Sequence, residues 1–368
     1  MARDTQAMIR APSDAPFVAG APLVSGRGLL FFAILALTLI TLQPFGDLGD
    51  PRLLEVSEGN DALAYVLFLG MAATGCYLVW ATDRPALKSL LAPSYGALAA
   101  WIGVTCVLSQ DPVSSMKRAT MLVFVVACSA SLFLLPRDKE EMGRLLSAIA
   151  LLIIGLSYFG VIFLPQYSIH QVTDLSEPQL AGNWRGVFGH KNLTSAVFSV
   201  LSFIGFFVRS QRPTLGSVII VLSLVFVFFS GGKSSSVICV ATILVSAISM
   251  RISSFPLWAL LMAAPLVGLN LFGIGSVAIP SLAAITSALP LDSSFTGRSD
   301  VWVYALSKAA EKPLFGYGYL AFWNTEAMLY GGGEQSTDWA QTASHAHNGY
   351  LDAVLSMGYP GLMMFFVA

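Results

Sequence analysis

Long apolar runs with few or no charges recur along the chain, separated by short polar stretches. Each run approaches the roughly 20 residues that span a hydrocarbon core. They predict membrane spans near 28–43, 62–81, 89–108, 119–136, 145–165, 193–208, 215–230, 235–250 and 255–279, with a tenth from about 349. Gly and Pro inside runs such as LLIIGLSYFGVIFLP are tolerated between neighbouring membrane helices. The expected fold is an all-α polytopic membrane protein with about ten transmembrane helices and a long loop before the last. Its parts are a disordered tail over 1–26, a helix bundle over 27–279, a loop with short helices over 280–348, and a last membrane segment over 349–368.

Composition sharpens this picture. Of 368 residues 55% are hydrophobic and 11% charged, with a mean hydropathy of +0.72. Arg3, Arg10 and Arg27 precede the first run as they would a signal peptide. The run, however, continues to Leu42 with no small-residue cleavage site after it, so it reads as a retained helix. Cys76, Cys106, Cys128 and Cys239 all lie in apolar runs, where a thiol is a small hydrophobe; no disulfide framework is expected.

With the N-terminus inside, eleven basic residues fall on the inner side and nine on the outer. Three of those nine belong to the segment after Pro280, and long segments count little toward orientation. The expected topology is therefore a cytoplasmic N-terminus. It puts the polar anomalies on one outer face: RGVFGHKN after the fifth span, SGGKSSS between the seventh and eighth, and FTGRSDVW, KPLFGYGYLAFWN, YGGGEQSTDW and ASHAHNGYLD around the long loop.

Each anomaly has a plain alternative. Arg and Lys at helix ends snorkel to headgroups, which is the preferred reading for Arg118 and Lys312. Arg185, Lys233 and Arg298 are different, because glycines and hydroxyl residues around them leave backbone N–H groups available. His345 reads as a cap or surface residue; His347, with Asn348 beside it, is the better candidate base. His345 and His347 with Asp338 or Asp352 could hold zinc, but no third ligand has suitable spacing. Trp302, Tyr317 and Trp323 are either an interfacial belt or a platform for sugar faces.

RGVFGHKNLTS, SGGKSSS, FTGRSDVW, KPLFGYGYLAFW and HAHNGYLD, in that order between spans, resemble the O-antigen ligase and polymerase superfamily, nearest the branch of ExoQ-like exopolysaccharide polymerases. The resemblance covers roughly residue 151 to the end. It implies glycosyl transfer at the periplasmic face of the inner membrane, from an oligosaccharide carried on undecaprenyl diphosphate. Arg185 and Arg298 would bind the diphosphate through their planar forks, Lys233 as a point charge, and His347 would take the acceptor proton. Asn192, His345, Asn348, Trp302, Tyr317 and Trp323 would line the substrate. Lacking a DxD-type motif, the chain is expected to work without metal or other cofactor, by a single inverting displacement.

The implied partners are the lipid-linked oligosaccharide and membrane lipid, with a flippase and a chain-length regulator as candidate proteins and no nucleic acid. Two other readings stand beside the polymerase. A ligase would pass the glycan to a lipid A core. A transporter or flippase is disfavoured because charged residues are missing from mid-membrane, where transporters place their sites. The family continues past the apolar run in which this chain stops, so a truncated last segment is expected.

Overall fold

The computed structural model describes residues 25–40, 44–50, 62–89, 92–175, 177–249, 251–288, 297–323, 325 and 343–368. The tail expected to be disordered, apart from Ser25 and Gly26, lies outside them. Eleven helices organise the described chain: α1 Gly26–Leu39, α2 Ala62–Thr82, α3 Pro93–Val107, α4 Pro112–Leu132, α5 Lys139–Phe163, α6 Lys191–Arg209, α7 Pro213–Ser230, α8 Lys233–Ser249, α9 Phe255–Phe272, α10 Arg298–Glu311 and α11 Gly349–Val367. Seven helices are long and apolar enough to cross a membrane, α9 counting with its continuation to Ala278, and α1, α3 and most of α8 form shorter apolar helices. This is an all-α polytopic membrane protein.

Starts and stops follow local chemistry. Asp111 accepts the Ser114 N–H at 3.0 Å with Pro112 at the first helical position, so α4 begins seven residues before the apolar run predicts. Asp138 does the same for α5 through the Glu141 N–H, at 2.7 Å, and Glu140 and Glu141 place negative charge in its first turn. Capping therefore carries both helices past their apolar stretches.

Outward faces stay apolar: Leu63, Val66 and Leu69 on α2 and Leu257, Leu260 and Leu269 on α9 are exposed, as lipid contact requires. Lipid tails are as apolar as leucine, so helices associate by close packing. The tightest pair is α6 and α7, where a Cβ added to Gly205 would come within 2.7 Å of Ile220 Cγ1. Phe198 of α6 and Phe226 of α7 stack at 4.1 Å, in a core shared with Ile149 and Ile153 of α5. A second core joins α1, α2 and α4 around Phe31, Ile34 and Cys128. A third is built by α10, residues 317–323 and the first turns of α11.

α10 falls in the loop expected to carry short helices, and its Val301, Trp302, Tyr304, Ala305 and Ala309 are all buried. The last helix is interrupted at Gly358, whose φ of 69° breaks it just before Pro360.

Candidate functional site

Two knots of loop hold the sequence motifs. In the first, residues 168–170 pair with 182–185: His170 N–H donates to the Asn183 carbonyl at 2.9 Å, and Arg185 and Gly186 N–H both donate to Ser168, at 2.8 and 2.9 Å. Trp184 stacks on Phe229 at 4.5 Å, and Lys191 Nζ donates to the Gly231 carbonyl at 3.2 Å. RGVFGHKN and SGGKSSS, far apart in sequence, therefore meet. The Lys233 side chain lies outside the described residues; its backbone opens α8.

Arg185 departs from expectation. It is fully buried, with Nη1 donating to the Phe188 carbonyl at 3.1 Å and Nη2 to Gly46 at 2.7 Å. Burial pulls its pKa down, while Asp174 and Asp47 offset part of that pull. The fork expected to grip a diphosphate is spent on two backbone carbonyls, and only Nε is without a partner. Arg185 thus pins residues 44–50 to the knot.

The residue that caps α6 is His190, whose Nδ1 accepts the Asn192 N–H at 3.0 Å, leaving the Asn192 side chain exposed in the first turn. His190 Nε2 bonds Glu177 at 2.7 Å. Beside it, buried His170 bonds Asp174 at 2.7 Å through Nδ1 and accepts the Lys191 N–H at 3.3 Å through Nε2. Two carboxylate-held imidazoles thus cap one helix.

The second knot brings α10, residues 312–323, 343–348 and the start of α11 together. Trp302 Nε1 donates to the Ala346 carbonyl at 2.8 Å. Asp352 Oδ1 accepts from Trp323 Nε1 at 2.7 Å and from the Ala346 N–H at 3.0 Å. Tyr317 donates to Glu311 at 3.0 Å and lies under Lys312 Nζ at 4.5 Å. The three aromatics proposed as a sugar platform are all buried, so packing and not ligand uses their ring faces. Lys312 finds a ring where headgroup contact was expected.

His345 and His347 sit side by side, ring centroids 4.0 Å apart, and His345 Nδ1 accepts the His347 N–H at 3.1 Å. His347 takes a left-handed φ of 52°, uncommon for a non-glycine residue. His347 is exposed on one side and crowded on the other. Partial burial, then the positive neighbours His345 and Arg298, push its pKa down to about 4. Arg298, half-buried, opens α10 after Gly297, whose φ of 82° makes the turn. Asn348 neither orients an imidazole nor waits for sugar. Its Oδ1 caps α11 by accepting Tyr350 and Leu351 N–H, and its Nδ2 donates to Asn270 at 3.1 Å.

Of the predicted residues, the structure thus gathers Arg298, His345, His347 and Asn348, with Trp302, Tyr317 and Trp323 as their walls. Arg185 and Asn192 belong to the other knot. Asp338 lies outside the described residues. Residues 218–366 match the family model described as O-antigen ligase. That segment is similar to the O-antigen ligase family. It includes Arg298 and His347 and leaves Arg185 outside. The exopolysaccharide production protein ExoQ of Rhizobium meliloti (strain 1021) is 31% identical over 86 residues, which are 22% of this chain and 19% of that protein.

Within the matched segment, sequence reasoning missed Asp352 and Asn270 as the supports of the histidine loop. Outside it, His170, Asp174 and Glu177 were missed; the His–Asp spacing of four in HQVTD was the available signal. The geometry also makes a prediction for Arg185. Arg185→Leu strips the Gly46 and Phe188 carbonyls of their donor, each worth about 1–3 kcal/mol when left buried and unpaired. Thermal unfolding in detergent should drop accordingly, with activity per folded molecule nearly unchanged. Intact stability with lost activity would instead put Arg185 on the substrate.

Proposed function

We propose that this protein polymerises lipid-linked oligosaccharide repeats at the periplasmic face of the inner membrane, by inverting transfer from a polyprenyl diphosphate. The observation that carries the reading is that α10, which Arg298 opens, is tied to the histidine loop by the bond from Trp302 Nε1 to the Ala346 carbonyl at 2.8 Å, with burial and the Arg298 charge both lowering the His347 pKa. The acceptor hydroxyl oxygen attacks the anomeric carbon and gives its proton to His347. The bond from that carbon to the diphosphate oxygen breaks, and the electron pair leaves on the diphosphate, where Arg298 stabilises the charge that grows. His345 accepts the backbone N–H of His347 and so supports the base.

A base with a pKa of about 4 is nearly always free to accept a proton at neutral pH. The weakness of so poor a base is corrected when the donor binds, because a nearby diphosphate favours the protonated ring. This gives a sign. The acid limb of kcat/KM, which reports the free enzyme, should fall near pH 4 and not near the 6.5 of an ordinary histidine, and the limb of kcat should lie higher. Arg298→Gln removes a positive neighbour and should move the kcat/KM limb upward. A limb fixed near 6.5 in both proteins contradicts the assignment.

The O-antigen ligase match favours one other reading, in which the acceptor is a lipid A core. Purified protein given only the lipid-diphosphate repeat separates the two. A ladder of lengthening chains supports polymerisation; no ladder, with transfer appearing once the core is added, supports ligation.

A further inference from the structure

The two histidines at the start of α6 are wired alike, in opposite tautomers. His190 Nδ1 accepts the Asn192 N–H at 3.0 Å, so that nitrogen is bare and the ring proton sits on Nε2, donated to Glu177 at 2.7 Å. His170 Nε2 accepts the Lys191 N–H at 3.3 Å, so its proton sits on Nδ1, donated to Asp174 at 2.7 Å. Helix caps are ordinarily hydroxyl, amide or carboxylate oxygens, and α4 and α5 use Asp111 and Asp138. An imidazole can accept a backbone N–H only while it is neutral. Neither ring can take a second proton without turning a donor toward a backbone donor.

The surrounding charges set the direction. The two ring centroids lie 5.6 Å apart, so a pair of imidazolium ions would repel, and each would meet the positive end of the α6 dipole. Buried Arg185 acts on His170 from the RGVF turn, and Asp47, in the 44–50 segment, acts on that guanidinium. Lys191 reaches past the pair to the Gly231 carbonyl on the turn between α7 and α8. Against these cations stand Asp174 and Glu177, each bonded to one ring. For His170 burial is the largest influence; opposed by Asp174 and helped by His190 and Arg185, it holds the pKa below that of an ordinary histidine. The closed arrangement is therefore fully stabilised above about pH 6.5 and loses stability as the pH falls below it, because the opened chain binds the proton first.

We propose that His170 and His190 form a pH-sensitive latch on the start of α6, closed by their neutral rings and opened by protonation. Opening reaches beyond one helical turn. His170 ties the segment before the RGVFGHKN motif to α6, and Lys191 ties α6 to the SGGKSSS motif, so the junction of the two motifs loosens with the cap. Acidity in the compartment bathing this face would thus act on the bundle from outside the Arg298 and His347 site, whichever reaction that site performs.

The test is amide hydrogen exchange on the whole chain in nanodiscs, read at pH 7 and pH 5 as protection factors, which remove the intrinsic pH dependence of exchange. Peptides over 191–199 should lose protection at pH 5, by up to about 25-fold for each histidine that gains a proton on opening at an ordinary pKa of about 6.5. The first turn of α4 is the internal control and should keep its protection, because hydrogen bonds from Ser114 hold the Asp111 carboxyl below its usual range. His190→Asn supplies a capping oxygen that does not titrate, so it should match the native chain at pH 7 and lose a smaller factor at pH 5. Combining it with His170→Gln should flatten the dependence. Should that buried replacement prevent folding, the single variant decides alone. Equal protection of 191–199 at both pH values in the native chain overturns the latch, and so does a drop of native size in His190→Asn.

Discussion

His347→Ala should lower turnover about 10²- to 10⁴-fold, the usual contribution of a positioned general base, while binding of the lipid-linked donor changes little. The reason is geometric. His347 is held by its left-handed backbone and by the bond from its N–H to His345, and neither contact involves a phosphate-binding group. His345→Ala removes the backbone acceptor of the His347 N–H, so its loss should be milder. Single-turnover rates together with donor binding decide the matter. Full turnover in His347→Ala removes the base assignment, and activity abolished by a chelator and restored by zinc would put the histidine pair forward as a metal site.

The second large effect is expected at Arg298. Arg298→Ala should cost about 10²- to 10³-fold in kcat, the range seen when one donor to a developing oxyanion is removed. Arg298→Lys keeps the charge and loses the two-pronged geometry, so it should recover only part of that loss. Structural damage is separable, because α10 is anchored by the buried Trp302 and Tyr304, four and six residues on. An unchanged melting profile with lost activity is the expected pair. Near wild-type polymer from Arg298→Lys would refute the fork argument.

Much of this was legible in the chain, and the failures have physical causes. Apolar runs predicted ten membrane helices because hydrocarbon thickness imposes one length on all of them. They misplaced the start of α4 because Lys117 and Arg118 read as loop, whereas Asp111 and Pro112 begin the helix ahead of them. Several side chains assigned to ligand also serve the fold. Asn348 was needed as a cap, Arg185 as a clamp on carbonyls, and Trp302 and Trp323 as core rings with one N–H each to satisfy. A buried backbone group must find a partner, and which side chain supplies it depends on contacts tens or hundreds of residues apart, which motif order does not reveal.

The break at Gly358 has a further consequence. Residues just before it offer main-chain and hydroxyl partners sideways: the Leu355 carbonyl accepts the Tyr317 N–H at 2.7 Å, Ser356 Oγ accepts the Leu320 N–H at 3.3 Å, and the Met357 carbonyl accepts Trp101 Nε1 at 2.9 Å. Beyond the break, Tyr359 N–H donates to the Pro313 carbonyl at 2.9 Å. The seam between loop and helix is thus stitched largely through backbone atoms, which makes it sensitive to chain length and indifferent to much of the side-chain alphabet. Leu314, exposed on that seam, can change character without shifting the register that holds the histidine loop. A single inserted residue there would slip every stitch at once. The fold thereby separates what can drift, the exposed side chains along the seam, from what cannot, the spacing that positions the histidine loop.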